Sequence, residues 1–339
     1  MDMQEYELKV LEHYNIKVIS TRKTRGAVLC DTDQGLLLLK DVTGQEKRIP
    51  VVWELHDYLR QQGVENTDEI VLNQEGDSVS ALEGEGRYIL KRWFPGRECD
   101  LHRPAELLEA TASLAKLHLL MQHQLELPAG TGTDLKEEYA RHNRELRKVR
   151  KYMRKLSPKG EFEIAFLKCF DQMYQWASAS LQELEQSGYD TLYKESVEGH
   201  CLVHGEYNYH NILMLPTARP ARMEMPEIAV TNFEKFKYDV QVEDLYYFLR
   251  KVMEKTGWKT RLGDNMINAY SAVRPISDVE MEYLRNRLSY PEKIWKIANS
   301  YYHSNKAWVS VKNIEKLSTA IRQTEEKRRF LEEIFSFHL

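Results

Sequence analysis

The hydrophobic period of this chain changes at Pro95-Gly96, and that change constrains the fold more than any other feature. Ahead of it, apolar residues come in short runs between turn residues. VISTRKTRGAVLC and GLLLLKD read as three short strands, with turns at Arg25-Gly26 and from Asp31 to Gly35. Pro50 then opens a helix, VVWELHDYLRQQG, where its missing N–H is harmless. Trp53, Leu55, Tyr58 and Leu59 make that helix amphipathic, and Gly63 suits its end. EIVLN, SVSAL and RYILKRWF continue as a strand meander, with turns at Glu75-Gly76-Asp77 and around Gly84 to Gly86. Behind the break, ELLEATASLAKLHLLM repeats its apolar residues at helical spacing, and helices are expected from there onward. The pattern predicts an α+β protein: a small lobe over 1–94, with five antiparallel strands and one helix, and a larger, mainly helical lobe over 95–339.

Composition narrows the function classes. A chain of 339 residues is long enough for two lobes, and 42% hydrophobic with 29% charged residues predicts a packed core. A net charge of −4 argues against a general nucleic-acid binder. The four cysteines form no C-x-x-C pair, so neither a zinc site nor a disulfide framework is expected. The start, MDMQEYELKV, has no apolar segment of a secretory signal, and no uncharged apolar run is long enough to span a bilayer. No membrane association is expected. One charge run stands out: Arg141, Arg144, Arg147, Lys148, Arg150, Lys151, Arg154, Lys155 and Lys159, with Glu145 alone opposing it. Such runs are ordinarily solvated helix faces; the sharper alternative is a docking surface for an acidic partner or nucleic acid.

The chemistry is concentrated in CLVHGEYNYHNILML, EIAVTNFEKF and VEDLYYFLRKV, which read as strand, polar loop, strand, short loop and helix. Position by position this resembles the catalytic core of the kinase-like (aminoglycoside phosphotransferase-like) enzymes, with H-G-D-x-x-x-x-N, a strand ending in Asp, and a helix with an early Asp. In such a core the loop Asp takes the hydroxyl proton, while the Asn and the later Asp hold Mg²⁺ against the phosphates. Here His204, Gly205 and Asn211 match. Glu206 stands at the base position, Asn232 at the metal-binding Asp, and Asp244 at the helix Asp that braces the loop. Glu206 keeps a carboxylate but displaces it by roughly 1 Å, a shift that can cost about 10²-fold in rate. Asn232 is neutral where a divalent ion needs charge. Strand alternation puts Glu234 on the same face as Asn232, where it could substitute as a ligand. The resemblance also implies that Lys40, at the end of the third strand, pairs with the phosphates and with Glu54 on the helix. The turn STRKTRGAV stands in for the phosphate-covering loop with a single glycine, and Lys23 and Arg25 as nearby cations.

The C-terminal stretch LSYPEKIWKIANSYYHSNKAWVSVKNIEKL resembles the helical signature of the CotS family of spore coat proteins, through Tyr290, Pro291, Glu292, Lys293, Trp295, Lys296, Lys306, Ala307 and Trp308 among others. YILKRWFPGRE and LAKLH extend the likeness over nearly the whole chain. The resemblance implies a spore-coat role among coat proteins, after synthesis in the mother-cell cytoplasm, and an ancestral phosphotransferase site. Two readings follow. One is a degenerate phosphotransferase, a pseudokinase, acting in coat structure or assembly. The other is an active transferase using ATP and Mg²⁺ on a small molecule or coat component.

Overall fold

Burial along the strands shows why the first third of the chain becomes a sheet. In this computed structural model, which describes residues 8–24, 26–82, 86–216, 227–304 and 311–336, β1 (Val18–Thr24), β2 (Ala27–Thr32) and β3 (Gly35–Asp41) form an antiparallel meander. Val28, Cys30, Leu37 and Leu39 alternate onto one face, in a cluster with Val10, Leu11 and Tyr14 from the N-terminal turn. Leu29 and Leu38, the intervening positions, are buried as well, so the sheet is covered on both faces. β3 pairs with β6 (Arg87–Arg92), and the far edge of β6 takes both β4 (Ile70–Val71) and β5 (Ser80–Ala81). The sheet thus has six strands where the sequence predicts five: β4 and β5 are two residues each and pair with successive stretches of β6. Helix α1 (Ile49–Gln61) carries Pro50 in its first turn and buries Val52, Leu55, His56 and Leu59. The predicted turns at Arg25 and Gly84, and the Lys306-Ala307-Trp308 part of the signature, lie outside the described residues.

The chain forms two compact units, Met1–Gly130 with His200–Tyr238, and Thr131–Gly199 with Asp239–Leu339. The change from strand to helix at residue 94 therefore falls inside the first unit. That unit also contains α2 (Pro104–Leu120) and a three-stranded sheet of β7 (Arg97–Glu98), β9 (Ile212–Met214) and β10 (Ile228–Val230). A ribbon of β8 (Leu202–Val203) with β11 (Lys237–Tyr238) completes it. β9 and β10 are the two short strands that the sequence predicts in NILML, just after the polar loop, and in EIAV, and they pair antiparallel.

The second unit is helical: α3 (Leu135–Lys155), α4 (Glu161–Gln186), α5 (Tyr189–Glu198), α6 (Val242–Thr256), α7 (Thr260–Ser271), α8 (Asp278–Ser289), α9 (Glu292–Tyr302), α10 (Val311–Arg322) and α11 (Thr324–Phe335). Asp134 caps α3 by accepting from the Lys136 N–H at 2.8 Å. α3 buries Tyr139, His142, Leu146, Val149 and Met153 and leaves Arg141, Arg144, Arg147, Lys148, Lys151 and Arg154 exposed, so the basic run is one helix face. Arg150 pairs with Asp171 at 2.7 Å. Ser277 and Glu280 form a capping box at the start of α8. Among the described residues no helix is long and apolar enough to cross a membrane.

Candidate active site

The polar loop between β8 and β9 is set by backbone demands before any chemistry. Gly205 holds φ at +82°, and a Cβ there would stand 2.2 Å from the Lys235 carbonyl oxygen, so this position accepts no side chain. His204 is buried; its Nε2 lies 3.0 Å from the Thr231 carbonyl oxygen and its Nδ1 accepts the Glu206 N–H at 3.1 Å. Those two partners assign the proton to Nε2. Asn211 Nδ2 donates to the Glu206 carbonyl oxygen at 2.9 Å, closing the loop on itself. The Glu206 carboxylate is partly exposed and accepts from Lys235 Nζ at 2.5 Å. Asp244 is buried in the first turn of α6, a helix of the second unit.

Lys40 does not pair with Glu54. The Glu54 carboxylate accepts two backbone N–H groups, from Glu126 at 2.5 Å and Leu127 at 3.0 Å. Lys40 Nζ instead donates to Glu234 Oε1 at 2.7 Å, with Asn232 Oδ1 at 3.4 Å. The helix carboxylate had a loop's unpaired donors within reach, and the lysine found its counter-charge far along the chain. A second lysine, which the sequence reading passes over, completes the group. Lys91 of β6 is buried and donates to Asp68 Oδ2, to Glu234 Oε1 at 2.9 Å and to Asn232 Oδ1 at 3.4 Å. The one sequence signal for it is a lysine closing the buried run Tyr88-Ile89-Leu90.

Asp68 also accepts the Asn232 N–H at 2.8 Å, which holds Asn232 at φ +66°. His56 Nε2 stands 3.6 Å from Asp68 Oδ1, but burial pushes its imidazole down to about 4, so it is neutral near pH 7 and this approach is not an ion pair. Burial alone would raise the Glu234 carboxyl; the ammonium groups of Lys91 and Lys40 outweigh it and hold the group well below the usual carboxylate range. Burial alone would lower Lys91, and Asp68 and Glu234 reverse that and raise it. Two ammonium and two carboxylate groups therefore neutralise one another within the first unit.

A family profile described as "Spore coat putative kinase YutH" matches residues 7–334. The chain belongs to this YutH family of spore coat kinase-like proteins. Spore coat protein S of Bacillus subtilis (strain 168) is 24% identical over 338 residues, which covers 96% of this chain and 90% of that protein. Among solved structures, an aminoglycoside phosphotransferase from Alicyclobacillus acidocaldarius superposes with a TM-score of 0.84 at 17% identity, over 97% of this chain and 95% of that one. The spectinomycin phosphotransferase APH(9)-Ia, solved with AMP, gives 0.64 at 10% identity, over 99% of each chain. At these identities the likeness carries the fold: α+β, two-lobed and aminoglycoside phosphotransferase-like.

At Asn232, which the sequence resemblance aligns with a metal-binding Asp, this YutH-family chain has a specific arrangement. Magnesium takes hard oxygens, usually one or two of them carboxylates, in a near-octahedral shell. Asn232 Nδ2 donates to Asn211 Oδ1 at 2.9 Å and so places an N–H against an oxygen a metal would use. Asn232 Oδ1 faces both lysine ammonium groups, and Glu234 Oε1 is shared by the same two. As arranged, Asn211, Asn232 and Glu234 do not fit a magnesium ion. The strand argument for Glu234 also fails: β10 ends at Val230, Asn232 turns left-handed, and Glu234 lies in a single 3₁₀ turn, Phe233–Lys235. Glu234 reaches the site as a partner of the lysines rather than by alternation.

Proposed function

We propose that this chain is a spore coat protein in which a kinase-like fold serves coat structure or assembly as a degenerate phosphotransferase. It is made in the mother-cell cytoplasm and retained in the coat through other coat proteins. The observation that carries this reading is the amide of Asn232, whose Nδ2 donates to Asn211 Oδ1 at 2.9 Å while its Oδ1 faces Lys40 and Lys91. An Asp at this position would withdraw that donor and add a negative charge; Asn leaves the site without the formal charge that a divalent cation needs. Lys40 and Lys91, the cations a phosphate would meet here, are engaged by Glu234 and Asp68. Phosphoryl transfer depends on positioning and charge stabilisation, so losing the metal site removes the larger part of the machine.

The test is a calorimetric titration with ATP, with and without Mg²⁺, on wild type and on the Asn232→Asp/Glu206→Asp double variant. Wild type is expected to show no Mg²⁺-dependent binding. The double variant gains Mg²⁺-dependent binding first and turnover second, while either single change does little, because residues acting as a unit are non-additive. Phosphate transfer by wild type at about 1–100 s⁻¹, abolished in Glu206→Ala, overturns the reading. Glu206 is then a working base, and the chain an ATP- and Mg²⁺-dependent transferase on a small molecule or coat component.

A further inference from the structure

A cavity of about 450 Å³ lies in the second unit, and every residue lining it belongs to that unit. Met173 and Trp176 of α4 and Trp258 beyond α6 give it apolar surface, and α10 and α11 close it. Another wall is Tyr290 to Ile294, part of the YPEKIWK stretch on which the coat-protein resemblance rests. None of those signature residues belongs to the unit that holds Lys40, Glu206 and Asn232. The volume suits a small organic ligand.

The wall is preformed. Tyr290 stacks on Tyr139, ring centroids 3.9 Å apart, and its hydroxyl donates to Asn143 Oδ1 at 2.9 Å. Trp295 stacks on His142 at 3.4 Å and donates to Glu145 Oε2 at 2.8 Å. Lys293 pairs with Glu254 at 3.0 Å and Lys296 with Glu292 at 2.8 Å.

The cations facing the cavity are not all satisfied. Lys327 Nζ sits 5.4 Å from the Trp176 ring and 5.5 Å from the Trp258 ring, and donates to the carbonyl oxygens of Ser289 and Tyr290 at 3.2 and 3.1 Å. Among the described residues no carboxylate pairs with it. Burial pushes its ammonium down to about 7, with Glu254 opposing from longer range. Arg250 is 5% exposed, gives Nη1 to Glu254 at 2.6 Å, and has no acceptor for its Nε. An unsatisfied buried donor costs about 1–3 kcal/mol, more when charged, which a ligand acceptor would recover. The balance of charge sets the sign of that ligand. Arg250, Lys255, Lys293, Lys312, Lys316 and Lys327 line the cavity against Glu254, Glu292 and Glu315; Glu254 is already paired, and Glu292 pairs with Lys296 through Oε1 while its Oε2 is buried without a partner. Glu292 also meets Glu138 and His142, with ligand atoms within 4.8 Å, but Arg141 Nη2 stands 3.3 Å from His142 Nε2, so that group already faces a cation.

We propose that this cavity binds a small organic anion, a flat apolar body bearing one carboxylate, with the carboxylate toward Lys327 and Arg250 and the body against Met173, Trp176 and Trp258. The site is separate from the phosphotransferase-like centre, and the proposal stands whether or not that centre is active.

Calorimetric titration of the full-length protein with 1-naphthylacetate, and with 1-naphthylmethylammonium as the same ring in opposite charge, tests it. The anion is expected to bind one to one and at least about tenfold tighter than the cation. Lys327→Met is expected to weaken the anion at least about tenfold. Lys312→Glu with Lys316→Glu alters two exposed rim residues, keeps the test sound should Lys327→Met fold poorly, and is expected to weaken binding more at low than at high salt. No binding at millimolar naphthylacetate, equal affinity for the cation, or anion affinity untouched by the rim variant each overturns the proposal.

Discussion

Two groups of buried cations, one in each unit, are treated in opposite ways. In the first, Lys91 gives its hydrogen bonds to Asp68 and Glu234, Lys40 shares the latter, and the charges cancel. In the second, Lys327 bonds two backbone carbonyls beside two indole rings, and Arg250 leaves a buried N–H without an acceptor. Burial alone therefore does not mark a binding cation. What matters is whether its donors are used up within the chain: a saturated cluster holds structure, and an unsaturated one retains capacity for a ligand.

The contrast breaks most directly on stability. Lys91→Met leaves Asp68 buried without its counter-charge and is expected to cost about 3–5 kcal/mol in chemical denaturation. Lys327→Met takes a donor from two backbone carbonyls but leaves no carboxylate behind, and is expected to cost less, about 1–3 kcal/mol. Equal losses would show that the two cations are structural alike.

A smaller effect separates two glycines of positive φ. Gly205→Ala meets both strain and the Lys235 carbonyl at 2.2 Å, and is expected to cost about 3 kcal/mol or more. Gly257, at +76° after α6, has nothing within 4 Å of an added Cβ, so Gly257→Ala is expected to cost only about 1–2 kcal/mol. Thermal or urea melts of the pair measure the difference.

Acid sharpens the comparison through one buried histidine in each unit, His56 in the first and His142 in the second. Burial lowers both His56 and His142 to about 4 from the usual 6.5. Between those values the unfolded chain binds protons that the folded chain refuses, so stability falls as pH drops from 6.5 toward 4. At pH 5.5 each histidine is expected to account for about 1 kcal/mol of that loss. Urea midpoints across this range for His56→Gln and His142→Gln should each show a flatter pH dependence than wild type; an unchanged slope would place the loss elsewhere. The depressed Glu234 carboxyl acts lower: its contribution is present above the ordinary carboxylate value of 4.5 and fades below it.

The smallest effect on folding is expected at the basic face of α3. Arg144, Arg147, Lys151 and Arg154 are exposed, and reversing them to Glu spares Arg150, which is tied to Asp171. Denaturation midpoints should move by less than about 0.5 kcal/mol. If this face docks acidic coat partners, association with coat extract weakens and the loss is greatest at low salt; unchanged association leaves it a solvated surface.

Much of this was legible in order along the chain. The strand runs before residue 94, Pro50 within the first turn of its helix, the two strands after the polar loop, and the amphipathic basic helix are local patterns, and local periodicity reports them. His204, Gly205, Glu206 and Asn211 share one loop because their spacing is that of one loop. The pairings were not legible in this way. Spacing points Lys40 to Glu54, whereas folding gives it Glu234, and neither Lys91 nor Asp68 carries a local pattern that marks it. Nor could spacing reveal the cavity, whose lining comes from five helices and the links between them.

The amino-acid sequence by itself determined the α+β division, the loop that resembles a phosphotransferase core, and the neutral residue at its metal position. The tertiary structure alone decided that Asn232 spends its amide on Asn211, that two lysines share Glu234, and that Lys327 lies near two tryptophans and bonds two backbone carbonyls. The reason is physical. Periodicity and turn chemistry act between neighbours in the chain, whereas the partner of a buried charge is chosen by desolvation among whatever groups folding brings within about 3 Å.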